Sequence, residues 1–170
     1  MSIQQDLENW DGKSADHIDR IYERNFKHNA SVADIVKLMA NNTSQKGATW
    51  LLKRYLQDKR PIDESTTNKI FKNLNNLTQW ESKLHLLQNL PFLEISTSNK
   101  RKIEVFLRIC LASHNKFVRA WAYHGFYELS LQHPEYEKKT KQFFAMALKD
   151  EAPAVKARIK NILKTGFNLQ

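Results

Sequence analysis

The whole chain holds a single cysteine, Cys110. One thiol makes no internal disulfide and no cysteine-built zinc cage. Glycine and proline are scarce, four of each, so most of the chain is free to run as continuous helix. No apolar run reaches the roughly 18 residues of a membrane span. The start, Met1-Ser2-Ile3-Gln4-Gln5-Asp6, lacks the basic stretch and apolar core of a signal peptide. The expectation is a cytoplasmic chain whose sequons at Asn29, Asn42 and Asn76 carry no glycan. Sustained apolar–polar alternation is missing, so no sheet is expected. Acidic residues are also in short supply after the first segment. Residues 35–170 carry 23 Lys and Arg against 11 Asp and Glu, a balance of +12, whereas residues 1–34 carry four against seven, or −3. An imbalance of this kind points to an anionic partner.

What the chain does contain is repetition. Phe117-Val118-Arg119-Ala120-Trp121-Ala122 and Ala154-Val155-Lys156-Ala157-Arg158-Ile159 each open a helix, and 154 − 117 = 37. Each follows a shorter apolar helix, ending near Leu111 and Leu148, again 37 apart. Two earlier segments, residues 44–56 and 78–90, align at an offset of 34, with Trp50 on Leu84 and Leu56 on Leu90. A fixed spacing of this size is the mark of stacked helix pairs. The punctuation agrees. Ser14, Ser31 and Asn115 precede apolar stripes as helix caps, and Thr78-Gln79-Trp80-Glu81 reads as a capping box. Pro61 and Pro91 end helices, Pro134 and Pro153 begin them, and Gly166 terminates the last. About nine helices are predicted.

The late copies resemble the HEAT-repeat superfamily, whose second helix opens on an acidic turn residue followed by Val-Arg. Asp150-Glu151-Ala152-Pro153-Ala154-Val155-Lys156 carries that pattern with Lys156 in place of arginine. Asn115-Lys116-Phe117-Val118-Arg119-Ala120 carries it without the aspartate, and the copies before residue 95 share only the apolar spacing. The resemblance implies an all-α fold, a right-handed α-α superhelix (solenoid) of about four helix pairs. Residues 1–30 would cap the pairs of residues 31–165 in a single domain over 1–170. It also implies binding of a protein or nucleic acid along a concave face built from the second helices.

Candidate binding residues follow from helical geometry. If Leu51, Leu52 and Tyr55, Leu84 and Leu87, Val118, Ala122 and Gly125, and Val155, Ile159 and Ile162 face the core, Trp121 faces inward with them. The outward positions are then Lys53 and Arg54, Lys83, Arg119 and Tyr123, and Lys156, Lys160 and Lys164. Trp50, preceding the Leu51-Leu52 pair, is expected at the surface. Together these residues would form a basic stripe with Trp50 beside it for stacking. The plainer reading ties Arg119 and Lys156 into polar ladders between repeats and leaves the other lysines as solubilising charge.

Other constellations carry little. Asp11-Gly12-Lys13-Ser14 ends like a phosphate-binding loop, but Leu7 stands where that motif needs glycine, so it reads as a turn and helix cap. Cys110 and His114 make at most two metal ligands, and Cys110 shares an apolar helix face with Phe106 and Leu107. The residue patterns indicate no metal, cofactor, catalytic group, small-molecule substrate or membrane contact. The leading expectation is a non-catalytic scaffold whose basic concave face binds an acidic protein partner. The alternative is a nucleic-acid-binding protein in the manner of HEAT-like alkylpurine DNA glycosylases. That chemistry needs a carboxylate beside an aromatic, which Asp58, Glu81 or Glu128 would have to supply.

Overall fold

The computed structural model describes residues 2–27 and 30–170. Met1, His28 and Asn29, with the sequon at Asn29, lie outside the described residues. Among those described, 72% of the chain is helical and no strand occurs. The described residues form ten α-helices, and none of these is long and apolar enough to cross a membrane. The chain divides into two compact units, Met1–Phe92 and Leu93–Gln170.

In the first unit, α1 (Ile3–Glu8), α2 (Ala15–Lys27), α3 (Val32–Leu38), α4 (Gln45–Gln57), α5 (Glu64–Lys72) and α6 (Trp80–Asn89) are completed by 3₁₀ turns at Leu74–Asn76 and Leu90–Phe92. α1 is the helix that apolar periodicity misses, because it is under two turns long. Its signal is a capping box: Ser2 accepts from the Gln5 amide while the Gln5 side chain accepts from the Ser2 amide. Leu7 of α1 seats against Gly47 of α4 so closely that a Cβ there would meet Leu7 Cδ2 at 2.6 Å. α3 packs on α4 and α5, and α4 on α6. Ile18, Ile21, Ile35, Met39, Leu51, Leu52, Ile70 and Phe71 are buried, as the helical spacing requires.

The start of α6 differs from the sequence expectation. Thr78 forms no capping box; Gln79 is the cap residue and its side chain makes no capping bond. Gln45, fully buried at the start of α4, does the work from outside: its Oε1 accepts from the amides of Thr78 (2.9 Å) and Gln79 (3.3 Å). Its Nε2 donates to the carbonyl oxygens of Asn76 (2.7 Å) and Met39 (3.3 Å). Leu84, expected in the core, is only half-buried; His85, Leu86 and Leu87 are the buried residues of that turn.

In the second unit, α7 (Lys100–Leu111) packs on α8 (Lys116–Gln132). A 3₁₀ turn at Pro134–Tyr136 leads into α9 (Glu137–Asp150), and α10 (Pro153–Leu163) returns against α8. Asn115 caps α8 as expected, accepting from the amides of Phe117 and Val118. Gly166 closes α10 at φ +100, a conformation that suits glycine. Ile103, Phe106, Leu107 and Cys110 of α7 are buried, as are Val118, Ala122, Phe126 and Leu129 of α8. Ala120, Phe144, Ala147, Val155, Ile159 and Ile162 form the core beneath α9 and α10. Cys110 is a core residue and His114 is exposed.

Candidate binding surface

The repeat spacing reappears as contact. Lys46 Nζ donates to Glu81 Oε1 at 3.0 Å and Lys53 Nζ to Gln88 Oε1 at 2.7 Å, each across 35 residues. Thr49 Oγ1 lies 3.0 Å from His85 Nδ1 across 36. In the second unit Tyr127 and Thr165 hydroxyls meet at 3.3 Å across 38 residues. Residues 35 to 38 apart thus meet, between α4 and α6 in the first unit and between α8 and the turn after α10 in the second.

Several of the expected site residues are engaged by these contacts. In the first unit Lys53 is half-buried on Gln88, and burial lowers its pKa. Arg54 lies 5.9 Å over the Tyr22 ring and 3.8 Å from Asp58, which also accepts from the Tyr22 hydroxyl at 2.8 Å. Trp50 is half-buried: Trp10 meets it edge-on at 5.8 Å and His85 at 5.4 Å. Trp10, whose indole donates to the Ser14 carbonyl at 2.9 Å, and His85 belong to this cluster and were not singled out from sequence. Their apolar neighbours gave no periodic signal for it. Lys83 is half-buried on α6.

In the second unit Arg119 is fully committed. Its Nε donates to Glu151 Oε1 at 3.0 Å and Nη2 to Glu151 Oε2 at 3.1 Å, while Nη1 donates to the Ser113 carbonyl at 3.0 Å. Its donors are thus spent on a carboxylate and a backbone carbonyl within the unit. Lys156 Nζ donates to the Lys149 carbonyl at 3.1 Å. Tyr123 does not face outward: it is half-buried against Phe144 of α9, centroids 6.2 Å apart, and burial followed by nearby Glu151 raises its pKa. Lys160 is exposed, and among the described residues neither its ammonium nor that of Lys83 has a hydrogen bond or ion pair.

Trp121, expected in the core, and Tyr123, expected outward, are both half-buried. Trp121 on α8 has the Arg158 guanidinium 4.0 Å above its ring. His124 lies 4.9 Å from the same ring and shares a 3.1 Å contact between its Nε2 and Glu128 Oε1. Phe117, one turn earlier on this face, is half exposed at 50%. Arg158 and His124 were missed because a face was assigned by apolar count alone, and α8 carries aromatics on both sides.

The charge is concentrated in this unit. Residues 93–170 carry 14 Lys and Arg against seven Asp and Glu, +7 of the total +9. Five of the seven carboxylates are already engaged. Glu104 binds Arg101 and Arg108, Glu135 binds Lys100, Glu137 binds Lys141, Glu151 binds Arg119, and Glu128 contacts His124. α10 itself carries Lys156, Arg158 and Lys160 and no acidic residue. Among the described residues no group of three or more metal-ligating side chains exists. Comparison of the chain with protein-family models, curated proteins and solved structures finds no match.

Proposed function

We propose that the helix pairs are HEAT-like repeats and that the chain is a non-catalytic scaffold whose basic face on α8 and α10 binds an acidic protein partner. One observation carries the reading: an excess of cations on α10 beside carboxylates that are already paired. Uncompensated charge of one sign steers and selects a partner of the other. The right-handed superhelix belongs to the same proposal and rests on contacts that recur every 35 to 38 residues. The nucleic-acid alternative has less in its favour. A base needs a free aromatic face, and Trp121 has one face under Arg158 while Trp50 sits between two rings. Glu81, next to the exposed Trp80, is held by Lys46, and Glu128 is held by His124.

The test is binding of fluorescent polyglutamate, compared with duplex DNA, at low and physiological salt. Wild type should bind polyglutamate with an affinity that falls as salt rises. Lys160→Glu with Lys164→Glu should weaken it by about tenfold. Duplex DNA held more tightly than polyglutamate at physiological salt would overturn the reading in favour of nucleic acid.

A further inference from the structure

We propose that Arg158, laid flat on Trp121, is a preorganised anchor that takes one carboxylate of an acidic peptide in bidentate fashion, with a neighbouring apolar side chain of that peptide resting on Phe117. The inference rests on the acidic-partner reading and names where on the surface, and by what chemistry, that partner is gripped.

Three observations carry it. The guanidinium lies 4.0 Å over the Trp121 ring, close enough for stacking, which confines a side chain that otherwise samples many rotamers. Its side-chain N–H groups are unspent: among the described residues the Arg158 guanidinium makes no hydrogen bond and no ion pair. The nearby carboxylates are also spoken for, because Glu151 accepts from Arg119 and Glu128 contacts His124. A half-buried arginine with a fixed plane, vacant donors and no internal counter-ion is a receptor for a planar oxyanion. Burial pushes its pKa down from the usual arginine range, and the group remains charged at neutral pH.

The surroundings select the carboxylate class. Phe117 stands one turn before Trp121 on α8 and is 50% exposed, with Lys116 Nζ 5.4 Å over its ring. An exposed aromatic with the Lys116 cation over it, one helical turn from the ring that carries the fork, suits an Asp or Glu followed closely by an apolar residue. A nucleotide would bring a phosphate to Arg158, but its base would find the adjacent tryptophan face covered.

The probe is a short fluorescein-labelled peptide of alternating glutamate and leucine, titrated into the full chain at low salt. Arg158→Lys keeps the charge and loses both the fork and the planar stack; it should weaken binding by about tenfold or more. Lys160→Gln with Lys164→Gln removes two exposed charges and should cost less than about fivefold. A leucine-to-glycine version of the peptide should bind the wild type more weakly. In the unaltered protein the Arg158 side-chain Nε–H resonance, assigned by its loss in Arg158→Lys, should shift on titration. Equal affinity of wild type and Arg158→Lys, or an unmoved Nε–H resonance while backbone amides of α10 shift, overturns the anchor and leaves the acidic-partner reading standing. No binding of this peptide or of polyglutamate by wild type overturns both.

Discussion

His85 sits on α6 with 8% of its surface exposed, beside Thr49 and under Trp50. Burial, and then the charges of Lys53 and Lys46, push its pKa down to about 4, while Glu81 opposes them. Unfolding returns it to the ordinary histidine value of about 6.5. Below that value the unfolded chain takes up a proton that the folded chain refuses. Stability is therefore fully present above about pH 6.5 and is lost as pH falls toward 4, by about 3 kcal/mol at most from this group. His85→Gln should flatten that limb in thermal unfolding curves; parallel limbs for the two proteins would show that His85 is protonated in the fold. Trp121 makes a second case at this scale. Placed inward, its truncation would cost the 3–5 kcal/mol typical of a core aromatic. Half-buried under Arg158, Trp121→Ala should cost about 1–2 kcal/mol, measured from urea midpoints. A loss above about 3 kcal/mol would return the ring to the core.

At the scale of elements, the two starts of helices α6 and α8 contrast. Asn115 caps α8 with its own side chain, a local device that sequence reveals. α6 is capped by Gln45, more than thirty residues away, which serves four backbone groups at once. Gln45→Ala should cost about 2–3 kcal/mol, because buried backbone groups lose their partners. Thr78→Ala should change the urea midpoint little, since its hydroxyl touches only an exposed Asn42 at 3.4 Å. A larger loss for Thr78→Ala than for Gln45→Ala would restore the local capping box. Glu104 plays a comparable part in α7. It is buried and held by Arg101 (2.6 Å), Arg108 (2.9 Å) and the Tyr136 hydroxyl (3.3 Å), linking α7 to the turn before α9. Burial raises its pKa, but the two arginines outweigh burial and hold it below the usual range. Glu104→Gln should cost about 1–3 kcal/mol at neutral pH. The loss should shrink as acid protonates the wild-type carboxyl, which contributes its stability above the unfolded carboxylate range and loses it as pH falls through the lower folded value. A mutant gap that grows in acid would contradict this.

At the scale of the molecule, helix content and charge were legible from the sequence, because both follow from residue type and spacing. Scarce glycine and proline, helical apolar spacing and the absence of alternation sufficed for an all-helical chain. Circular dichroism should show a helical spectrum without strand contribution. Within each unit some residues at about this spacing meet, Trp121 with Arg158 across 37 residues and Lys53 with Gln88 across 35. The candidate surface was legible only in part. Lys160 stands exposed where spacing put it, whereas Arg119, Lys53 and Lys156 spend their donors on neighbours. A cation's availability depends on what the adjoining helix offers it, and no local pattern records that. The same holds for the side of α8 that faces out. Trp121 and Tyr123 are two residues apart and similarly amphipathic, so helical period alone does not choose between them. The sequence by itself determined that the chain is helical, repetitive and basic. Only tertiary packing decided which of its aromatics are covered, which of its charges are cancelled, and that Arg158 keeps its donors open, because those outcomes depend on contacts between helices rather than on order along one.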